Sequence, residues 1–447
     1  MHRFFLLDEF DKNKNKDALI WKNKSYTYGD ILQTAVHWKS KLQETGISRK
    51  HNAVALKGDF SPVSISILMS LIESNCIIIP LNYFSKDDNK QFLELSEAEF
   101  IISLNEYDEA SITATSLNSG HEFYKVLRNK NHPGLVLFSS GTTGEPKAAV
   151  HDFNLLLDKF RIKRTALKTL NFLLFDHWGG LNTMFHTLSN GGTIISLQER
   201  TPEKVCRLID KFKIELLPAS PTFLNLVLIS EAYKRHDMSS LKVISYGTEP
   251  MPESTLKKLN KIFPLVKFQQ TYGLIETGVM RAKSKDNDSL WVKLGGEGFE
   301  TRVVDNMLQI KSNSSILGYL NYPSPFTDDG WFITGDVVET DGEYFKILGR
   351  KSDLINIGGE KVYPAEVESV IKEIDDVKDV RIYGEKNPLT GNIVCAEISI
   401  KTQVSREKLK SEIKKQCFKK LPGYKVPVKI KFTEKINYGE RFKKRIK

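Results

Sequence analysis

The sequence contains few cysteines, and their spacing excludes two common kinds of site. Cys76, Cys206, Cys395 and Cys417 are the four cysteines among 447 residues. They stand far apart and form no CxxC pair, which argues against a disulfide framework and against a cysteine-based zinc site. We therefore expect four buried thiols that take no part in chemistry.

Long hydrophobic runs and low-complexity blocks are also missing. Residues 1–11 hold only a few apolar side chains before acidic ones appear, which is too short for a signal peptide or a membrane span. The sequence therefore predicts a cytoplasmic protein without a transmembrane segment. No long acidic or Pro/Gly/Ser-rich block occurs and hydrophobic residues make up 40%, so the chain is expected to fold throughout.

The charge is not concentrated in one region. The net charge is +10, but lysines and arginines alternate with acids along most of the chain. This distribution predicts no nucleic acid partner. The densest basic stretch spans residues 441–447, which suits either a solvated tail or a polyphosphate ligand.

Short apolar runs alternate with helical patterns through the first part of the chain. Residues 52–56 and 76–81 predict buried strands, and residues 63–72 predict a helix between them. The same alternation continues with strand candidates at residues 100–104, 135–138, 193–197, 214–219 and 241–246. This pattern predicts a layered α/β architecture.

The pattern changes after about residue 290. Strand candidates at 299–304, 307–310, 331–333 and 343–348 are short and separated by Gly, Asn and Asp turns, which predicts a small β subdomain. Helix candidates at 364–372 and 405–420 and strand candidates at 380–383 and 393–400 then predict a compact α+β unit. Because 447 residues exceed what one core usually organises, we predict a large N-terminal domain, residues 1–350, and a small C-terminal domain, residues 351–447.

The most informative segment is an apolar strand that leads into a loop of glycines and hydroxyls ending in a lysine, at residues 135–147. Gly141 and Gly144 let backbone N–H groups point at one anion, and Lys147 adds a point charge. The hydroxyls that can add donors belong to Ser139, Ser140, Thr142 and Thr143. The pattern predicts a polyphosphate site, although a surface turn of the same composition is the alternative. A Walker A loop is excluded, because Pro146 and Ala148 occupy its required Gly and Ser/Thr positions.

This loop is similar to the signature loop of the adenylate-forming superfamily, which includes acyl-CoA synthetases, peptide-synthetase adenylation domains and beetle luciferases. Three further segments, at residues 270–278, 332–336 and 348–368, resemble motifs of that superfamily in the same order. The resemblance extends from about residue 20 to the C-terminus, and it implies that the C-terminal domain, residues 351–447, is a mobile lid. It implies an ATP-dependent acid–thiol ligase that converts a small carboxylic acid to its acyl-adenylate, releases pyrophosphate, and passes the acyl group to coenzyme A or to the phosphopantetheine of an acyl carrier protein.

Such an enzyme needs no covalent nucleophile. Hydroxide is a poor leaving group from a carboxylic acid whereas AMP is a good one, so activation precedes transfer. The carboxylate attacks the α-phosphate in line, and the protein contributes positioning and charge neutralisation.

The resemblance also implies roles for single residues. Tyr272 would stack on adenine, Glu276 would help to bind Mg²⁺, Asp336 would accept hydrogen bonds from both ribose hydroxyls, and Arg350 would assist at the ribose. Residues 221–228 and 245–250 match two further segments that line the acyl and adenine pockets, and the second contains Gly247 and Thr248. Gly273, within the motif at residues 270–278, would also contact the nucleotide.

The segment around His177 bears on the class of acid. Residues 177–180 resemble the His-x-x-Gly segment of acyl- and aryl-CoA ligases, which would place His177 near the acyl pocket and the α-phosphate. A rival alignment equates Phe175 and Asp176 with the Phe-Asp pair by which peptide-synthetase domains recognise an amino acid. That alignment requires two extra residues before Gly191, so amino acid activation ranks second.

Two departures from the superfamily pattern affect the expected chemistry. Ile275 stands where a Thr or Ser usually precedes the motif glutamate, so one hydrogen bond to phosphate is missing. Near the end, an ungapped match puts Glu440 where the superfamily uses a lysine during adenylation, and a shift of one residue puts Arg441 there. We predict Arg441 as the catalytic cation, with Lys443 as the alternative, because a carboxylate would repel both reactants. A degenerate member that binds nucleotide but adenylates poorly is the remaining alternative.

Overall fold

The helices and strands of the computed structural model follow the predicted alternation. The structure describes residues 4–48, 51–82, 89–140, 145–296, 298–400, 405–434 and 436. The α-helices are α1 (Phe5–Lys12), α2 (Tyr28–Glu44), α3 (Pro62–Glu73), α4 (Asn89–Leu95), α5 (Glu122–Lys130), α6 (Phe153–Leu157), α7 (Trp178–Ser189), α8 (Pro202–Phe212), α9 (Pro221–Ser230), α10 (Glu253–Ile262), α11 (Pro364–Ile371) and α12 (Arg406–Lys420). Short 3₁₀ turns occupy Asp158–Arg161, Ala232–Lys234, Lys351–Asp353 and Gly423–Lys425.

The strands fall into several sheets. They are β1 (Asp17–Trp21), β2 (Lys24–Thr27), β3 (Ala53–Gly58), β4 (Ile77–Asn82), β5 (Phe100–Leu104), β6 (Ala110–Ala114), β7 (Gly134–Ser140), β8 (Pro146–Asp152), β9 (Lys168–Asn171), β10 (Thr193–Ser196), β11 (Leu216–Ala219), β12 (Val243–Tyr246), β13 (Lys267–Gln270), β14 (Gly273–Leu274), β15 (Gly278–Val279), β16 (Arg281–Ser284), β17 (Trp291–Gly295), β18 (Phe299–Val304), β19 (Met307–Ser312), β20 (Gly318–Tyr319), β21 (Phe332–Asp341), β22 (Tyr344–Arg350), β23 (Ile355–Ile357), β24 (Glu360–Val362), β25 (Val377–Asn387), β26 (Gly391–Ile400) and β27 (Lys429–Thr433).

The first large sheet has the order β20-β8-β7-β4-β3-β5-β6, with β7, β4, β3 and β5 parallel and the outer strands antiparallel. Its central strands are continuous apolar runs because both faces are covered. Val54 and Leu56 of β3 face a core that includes α2 and α3, while Ala53 and Ala55 face a second core that includes α5. The alternating side chains of one strand therefore join two layers of the fold.

The second large sheet has the order β13-β12-β11-β9-β10-β1-β2, and all its strands except β2 run parallel. Helices α8, α9 and α10 begin at Pro202, Pro221 and Glu253 and cover it with an apolar core of their own. Ser220 illustrates why such helices begin where they do, because its hydroxyl accepts the N–H of Phe223 and the helix starts with proline.

The later part of the chain forms the predicted smaller units. Strands β16 to β19, β21 and β22 make an antiparallel sheet in the order β16-β17-β22-β21-β19-β18. The C-terminal unit joins the sheet β25-β26-β27 to α11 and α12 around a separate apolar core. The predicted α/β class, with a large N-terminal part, a small β subdomain and a small α+β C-terminal part, is confirmed. The boundary after Arg350 and the mobility of the lid stay predictions.

The cysteines and the apolar helices can be compared with the expectations from the sequence. All four cysteines are buried, as predicted, and burial raises the pKa of the Cys76 and Cys206 thiols to about 12. In the part of the chain that the structure describes, no helix combines the length and the apolar character needed to cross a membrane.

The second sheet positions the candidate site. Strands β9, β12 and β13 run parallel, so their carboxyl ends meet at one edge, where α/β proteins commonly bind ligands. The segment leading to His177 follows β9, residues 247–248 follow β12, and residues 271–273 follow β13. Segments far apart in sequence thus meet at one edge.

Candidate active site

The predicted phosphate loop connects two antiparallel strands. Ser139 of β7 lies opposite Lys147 of β8, and cross-strand partners project to the same face of a sheet. Ala148, which takes the place of a common glycine, is buried and has no positive φ, so its side chain causes no strain. The remaining loop residues and the side chain of Ser140 lie outside the described residues, and these are Gly141, Thr142, Thr143 and Gly144. Their phosphate contacts stay predictions.

Two tyrosines hold Lys147 in place. The Lys147 ammonium lies 4.6 Å from the ring centre of Tyr322 and 5.6 Å from that of Tyr319, a cation–π arrangement. The side-chain amide of Asn321 fixes this segment, because it hydrogen bonds to backbone groups of β8 at 2.8 and 3.0 Å. Lys147 therefore stands at a defined place beside the loop.

Tyr319 also contacts the motif glutamate. Its hydroxyl donates a hydrogen bond of 2.6 Å to Oε1 of Glu276. Burial raises the pKa of the Tyr319 hydroxyl, and the charge of Glu276 raises it further, so the group stays a donor. The structure thus joins Lys147 and Glu276 through one tyrosine, which puts a cation and an anion beside the end of the phosphate loop.

A second cluster unites the three residues predicted at the nucleoside. Asp336 and Arg350 are opposite each other on β21 and β22, with Arg350 Nε 3.1 Å from Asp336 Oδ1. The Tyr272 hydroxyl donates a hydrogen bond to the other carboxylate oxygen. Burial raises the pKa of Tyr272 well above its usual value, and the negative charge of Asp336 adds to this. The structure brings these three residues together, and segment 272–276 connects them to the Glu276 cluster.

A cavity of about 1520 Å³ opens at the carboxyl edge of the second sheet. Four predicted site residues line it: His177, Gly247, Thr248 and Gly273. Ile275 lines it as well and packs against two apolar clusters, so the predicted departure from Thr or Ser contributes an apolar wall. The ring of His151 is fully buried beside the backbone of Ile275, and burial lowers its pKa to about 3.

Gly247 is required by packing within the protein. A Cβ atom at this position would lie 2.5 Å from the hydroxyl oxygen of Thr271 and 2.7 Å from its carbonyl oxygen, which is too close for any side chain. The next residue, Thr248, has a φ of +73°, an uncommon conformation for a β-branched residue. The close approach of β12 and β13 at their ends therefore explains the glycine.

His177 is the N-cap of α7. Its Nδ1 accepts a hydrogen bond of 3.0 Å from the N–H of Gly179. In the neutral imidazole the proton therefore resides on Nε2, which makes that atom a hydrogen-bond donor. The helix cap gives this histidine a fixed orientation on the cavity wall.

Asp176, the residue that the rival alignment assigns to an amino acid's ammonium, interacts with a protein cation. Burial lowers the pKa of the Arg200 guanidinium, while the charges of Asp59 and Asp176 oppose this shift. Arg200 Nε also donates to the carbonyl of Phe172 at 2.7 Å. The protein itself supplies a positive partner for Asp176.

Three residues near the candidate site carry no motif in the sequence, and the predicted cation near the C-terminus is not among the described residues. Tyr319 and Tyr322 belong to no recognised motif, and only the long-range pairing of β20 with β8 brings this segment to Lys147. Lys159, which also lines the cavity, had no distinguishing signal among the many lysines. Arg441 and its alternative Lys443 lie outside the described residues.

Comparison with known proteins gives a consistent result. The family described as AMP-binding enzyme matches residues 7–311, and the AMP-binding enzyme C-terminal domain matches residues 366–442. A 2-succinylbenzoate–CoA ligase of Listeria monocytogenes is 27% identical over 94% of this chain and 92% of its own length. An indoleacetate–CoA ligase of Aromatoleum aromaticum is 24% identical over 86% of this chain and 85% of its own length.

A solved structure shares the fold. The crystal structure of the anthranilate CoA ligase AuaEII in complex with anthranoyl-AMP has a TM-score of 0.85 and 18% identity, and the alignment covers 99% of this chain and 96% of that one. The family match covers well over half of the chain, so the predicted resemblance is confirmed. The chain belongs to the AMP-binding enzyme family, as an adenylate-forming enzyme of the acyl-CoA synthetase type.

Proposed function

We propose that this chain is an AMP-forming acid–CoA ligase, which adenylates an acyl or aryl acid and then transfers the acyl group to coenzyme A. The observation that carries the proposal is that segment 272–276 joins two charged clusters and that its middle residues, 273–275, line one large cavity. The curated relatives named above are CoA ligases for aromatic acids, which supports the same reaction class. A pantetheinyl carrier protein is the alternative acceptor.

In this proposal the two clusters bind different parts of the nucleotide. Asp336 accepts hydrogen bonds from the ribose, Arg350 donates to it, and the ring of Tyr272 packs on adenine. Lys147 and the loop neutralise phosphate charge during in-line attack, which is the main way in which a protein accelerates this type of reaction. His177, through its Nε2 donor, orients the acid at the cavity wall.

Glu276 fits Mg²⁺ in the manner usual for nucleotide enzymes. In the described residues no group of three or more His, Cys, Asp or Glu side chains could hold a metal by itself. Magnesium commonly binds through one or two carboxylates together with substrate phosphates and water, so a single half-buried glutamate beside Lys147 is a suitable ligand. When bound, the ion would neutralise phosphate charge.

Amino acid activation is disfavoured by the buried charges near Asp176. Asp176, the residue that would pair with a substrate ammonium, already interacts with the charge of Arg200. Arg200 already offsets part of the negative charge that a substrate ammonium would need, although Asp59 and Asp176 share its single positive charge. We therefore propose an acid without an α-ammonium group.

The test is acid-dependent exchange of labelled pyrophosphate into ATP across a panel of acyl, aryl and amino acids, followed by thioester formation with coenzyme A or a pantetheinyl carrier protein. Glu276→Gln keeps the shape and removes the charge, so we expect exchange to fall by roughly 100-fold. The matched control is Glu300→Gln, which alters an exposed carboxylate on β18 and should leave exchange unchanged.

Absence of exchange with every acid would refute the ligase and favour a degenerate nucleotide-binding member. Exchange with amino acids alone would restore the peptide-synthetase interpretation. Exchange followed by transfer only to the carrier protein would show that the carrier protein, and not coenzyme A, is the acceptor.

A further inference from the structure

The wall of the cavity contains a lysine that the proposed chemistry does not use. Lys159 lies in the 3₁₀ turn after α6, and its ammonium donates to Asn182 Oδ1 at 2.5 Å and to the carbonyl of Val279 at 3.1 Å. It also lies over aromatic rings, 5.1 Å from the centre of Phe160 and 5.6 Å from that of Trp178. These contacts fix the ammonium within the cavity wall.

Among the residues that the structure describes, no carboxylate forms an ion pair with Lys159, and burial is the only cause that shifts its pKa. The neighbouring cavity base Lys163 differs, because its ammonium contacts Glu9 and the carbonyl of Ser189. The Lys159 side chain is only partly accessible from the cavity, and burial lowers its pKa to about 7. An unmatched ammonium in such a place destabilises the empty protein unless a ligand supplies the missing charge.

The position of Lys159 relative to the reacting end follows from α7. Gly179, Asn182, Thr183 and His186 all line the cavity, because positions three, four and seven residues apart share one helix face. At 1.5 Å per residue, Asn182 and His186 lie about 5 and 10 Å beyond Gly179 along the helix axis. Lys159 binds Asn182, so it lies more than one helical turn along α7 from the His177 cap.

We propose that Lys159 is a specificity-determining residue that binds a second acidic group at the far end of the substrate, so that the preferred substrates are acids with two carboxylates. The inference rests on the proposed ligase function, since it assigns the reacting carboxylate to the His177 end of the same cavity. Lys159 donates two hydrogen bonds to protein acceptors, and its third N–H is the one that would reach the carboxylate. The rings of Phe160 and Trp178 would pack against the apolar part of the acid.

The test compares matched pairs of acids that differ by one carboxylate. Hexanoate with adipate, heptanoate with pimelate, and 3-phenylpropanoate with 3-(4-carboxyphenyl)propanoate are suitable, with kcat/KM measured by pyrophosphate exchange. We expect the wild-type enzyme to prefer the diacid of at least one pair by about 10-fold or more, as for a charge-assisted hydrogen bond in a shielded site. Lys159→Met, which keeps the stem and removes the ammonium, should abolish or invert that preference and change the monoacid rate by less than about threefold.

Two further variants make the result specific. Lys159→Arg should retain part of the diacid preference, because it keeps the charge with a different geometry. Lys163→Met removes a cavity lysine that already has an acidic partner, and it should leave the ratio of diacid to monoacid rates unchanged.

Three results would overturn the inference. If monoacids react as well as diacids in the wild-type enzyme, the second acidic group is not recognised. If Lys159→Met lowers both rates equally, the lysine has a structural role in joining the turn to α7 and β15. If no acid supports exchange, the ligase proposal fails and this inference fails with it, a result distinct from the other two.

Discussion

Tyr272 has a ring and a hydroxyl whose roles can be separated by substitution. The hydroxyl binds Asp336, whereas the proposed contact with adenine involves only the ring. Tyr272→Phe keeps the ring, so we expect the KM for ATP to change by less than about threefold. Tyr272→Leu removes the aromatic face, and the KM should rise by roughly 10-fold, in the range known for base–aromatic stacking. Initial rates of pyrophosphate exchange at varied ATP concentration measure both values.

The same pair of variants distinguishes stacking from support of the ribose-binding carboxylate. An equal rise in KM for Phe and Leu would show that the Tyr272 hydroxyl, acting through Asp336, is what matters, and the stacking role would be wrong. Thermal unfolding of both variants checks that the buried cluster stays folded, since loss of one hydrogen bond to a buried carboxylate costs about 1–3 kcal/mol.

At the scale of single elements, the sequence predicted many helices and strands closely because they are buried on two faces. The apolar run predicted at 76–81 became β4 (Ile77–Asn82), and the helix predicted at 63–72 became α3 (Pro62–Glu73). Both are dense in branched apolar residues and bounded by turn or cap residues, so local pattern and tertiary context agree. The strand β8, in contrast, was not among the predicted strands, because its polar and apolar residues do not stand out beside the loop.

The pairing of elements could not be predicted in the same way. The contact of β20 with β8 brings Tyr319 to Lys147, yet neither strand carries a signal for the other. Motifs identified Tyr272, Glu276, Asp336 and Arg350, whereas the charge balance around Lys159 depends on which side chains the fold assembles near it. Long-range packing decides which side chains lie near Lys159, and the local sequence pattern does not encode this packing.

The start of α7 supports a prediction about His177. His177→Asn keeps a good N-cap and removes the imidazole, whereas His177→Ala removes both. We expect both variants to lose adenylation by at least about 10-fold, because the acid loses an orienting group. Only the alanine variant should also be destabilised, by about 1 kcal/mol. Pyrophosphate exchange and urea unfolding measure the two effects.

The two measurements also identify a purely structural histidine. If His177→Asn retained full adenylation while His177→Ala lost it together with stability, capping would explain the whole effect. His177 would then have no place in the chemistry.

At the scale of the whole molecule, the C-terminal unit packs on the N-terminal part through α10 and α11. The N–H of Ser254 donates to the hydroxyl of Ser369 at 3.3 Å, and the Lys258 ammonium donates to the carbonyl of Lys372 at 3.0 Å. Between the two parts, Gly349 has a φ of +140°, a conformation that favours glycine, and it lies beside the 3₁₀ turn that contains Ser352. A glycine in this conformation at the junction fits the predicted movement of the lid.

A moving lid predicts that its cation serves only one half-reaction. Arg441 is predicted to neutralise charge between carboxylate and α-phosphate, and it lies within the matched C-terminal domain but outside the described residues. Arg441→Ala should therefore lower pyrophosphate exchange by roughly 100-fold. Thioester formation from a supplied acyl-adenylate should change by less than about threefold, because that step no longer involves the phosphate attack.

Lys443→Ala is the matched comparison, since it removes a neighbouring cation from the same segment. If Arg441 is the catalytic cation, this variant keeps most of the exchange activity. The reverse result, loss with Lys443→Ala and retention with Arg441→Ala, would transfer the role to Lys443. Equal loss of both half-reactions in either variant would instead mean that the segment stabilises the lid in both of its positions, because only a group confined to one position can affect one step alone.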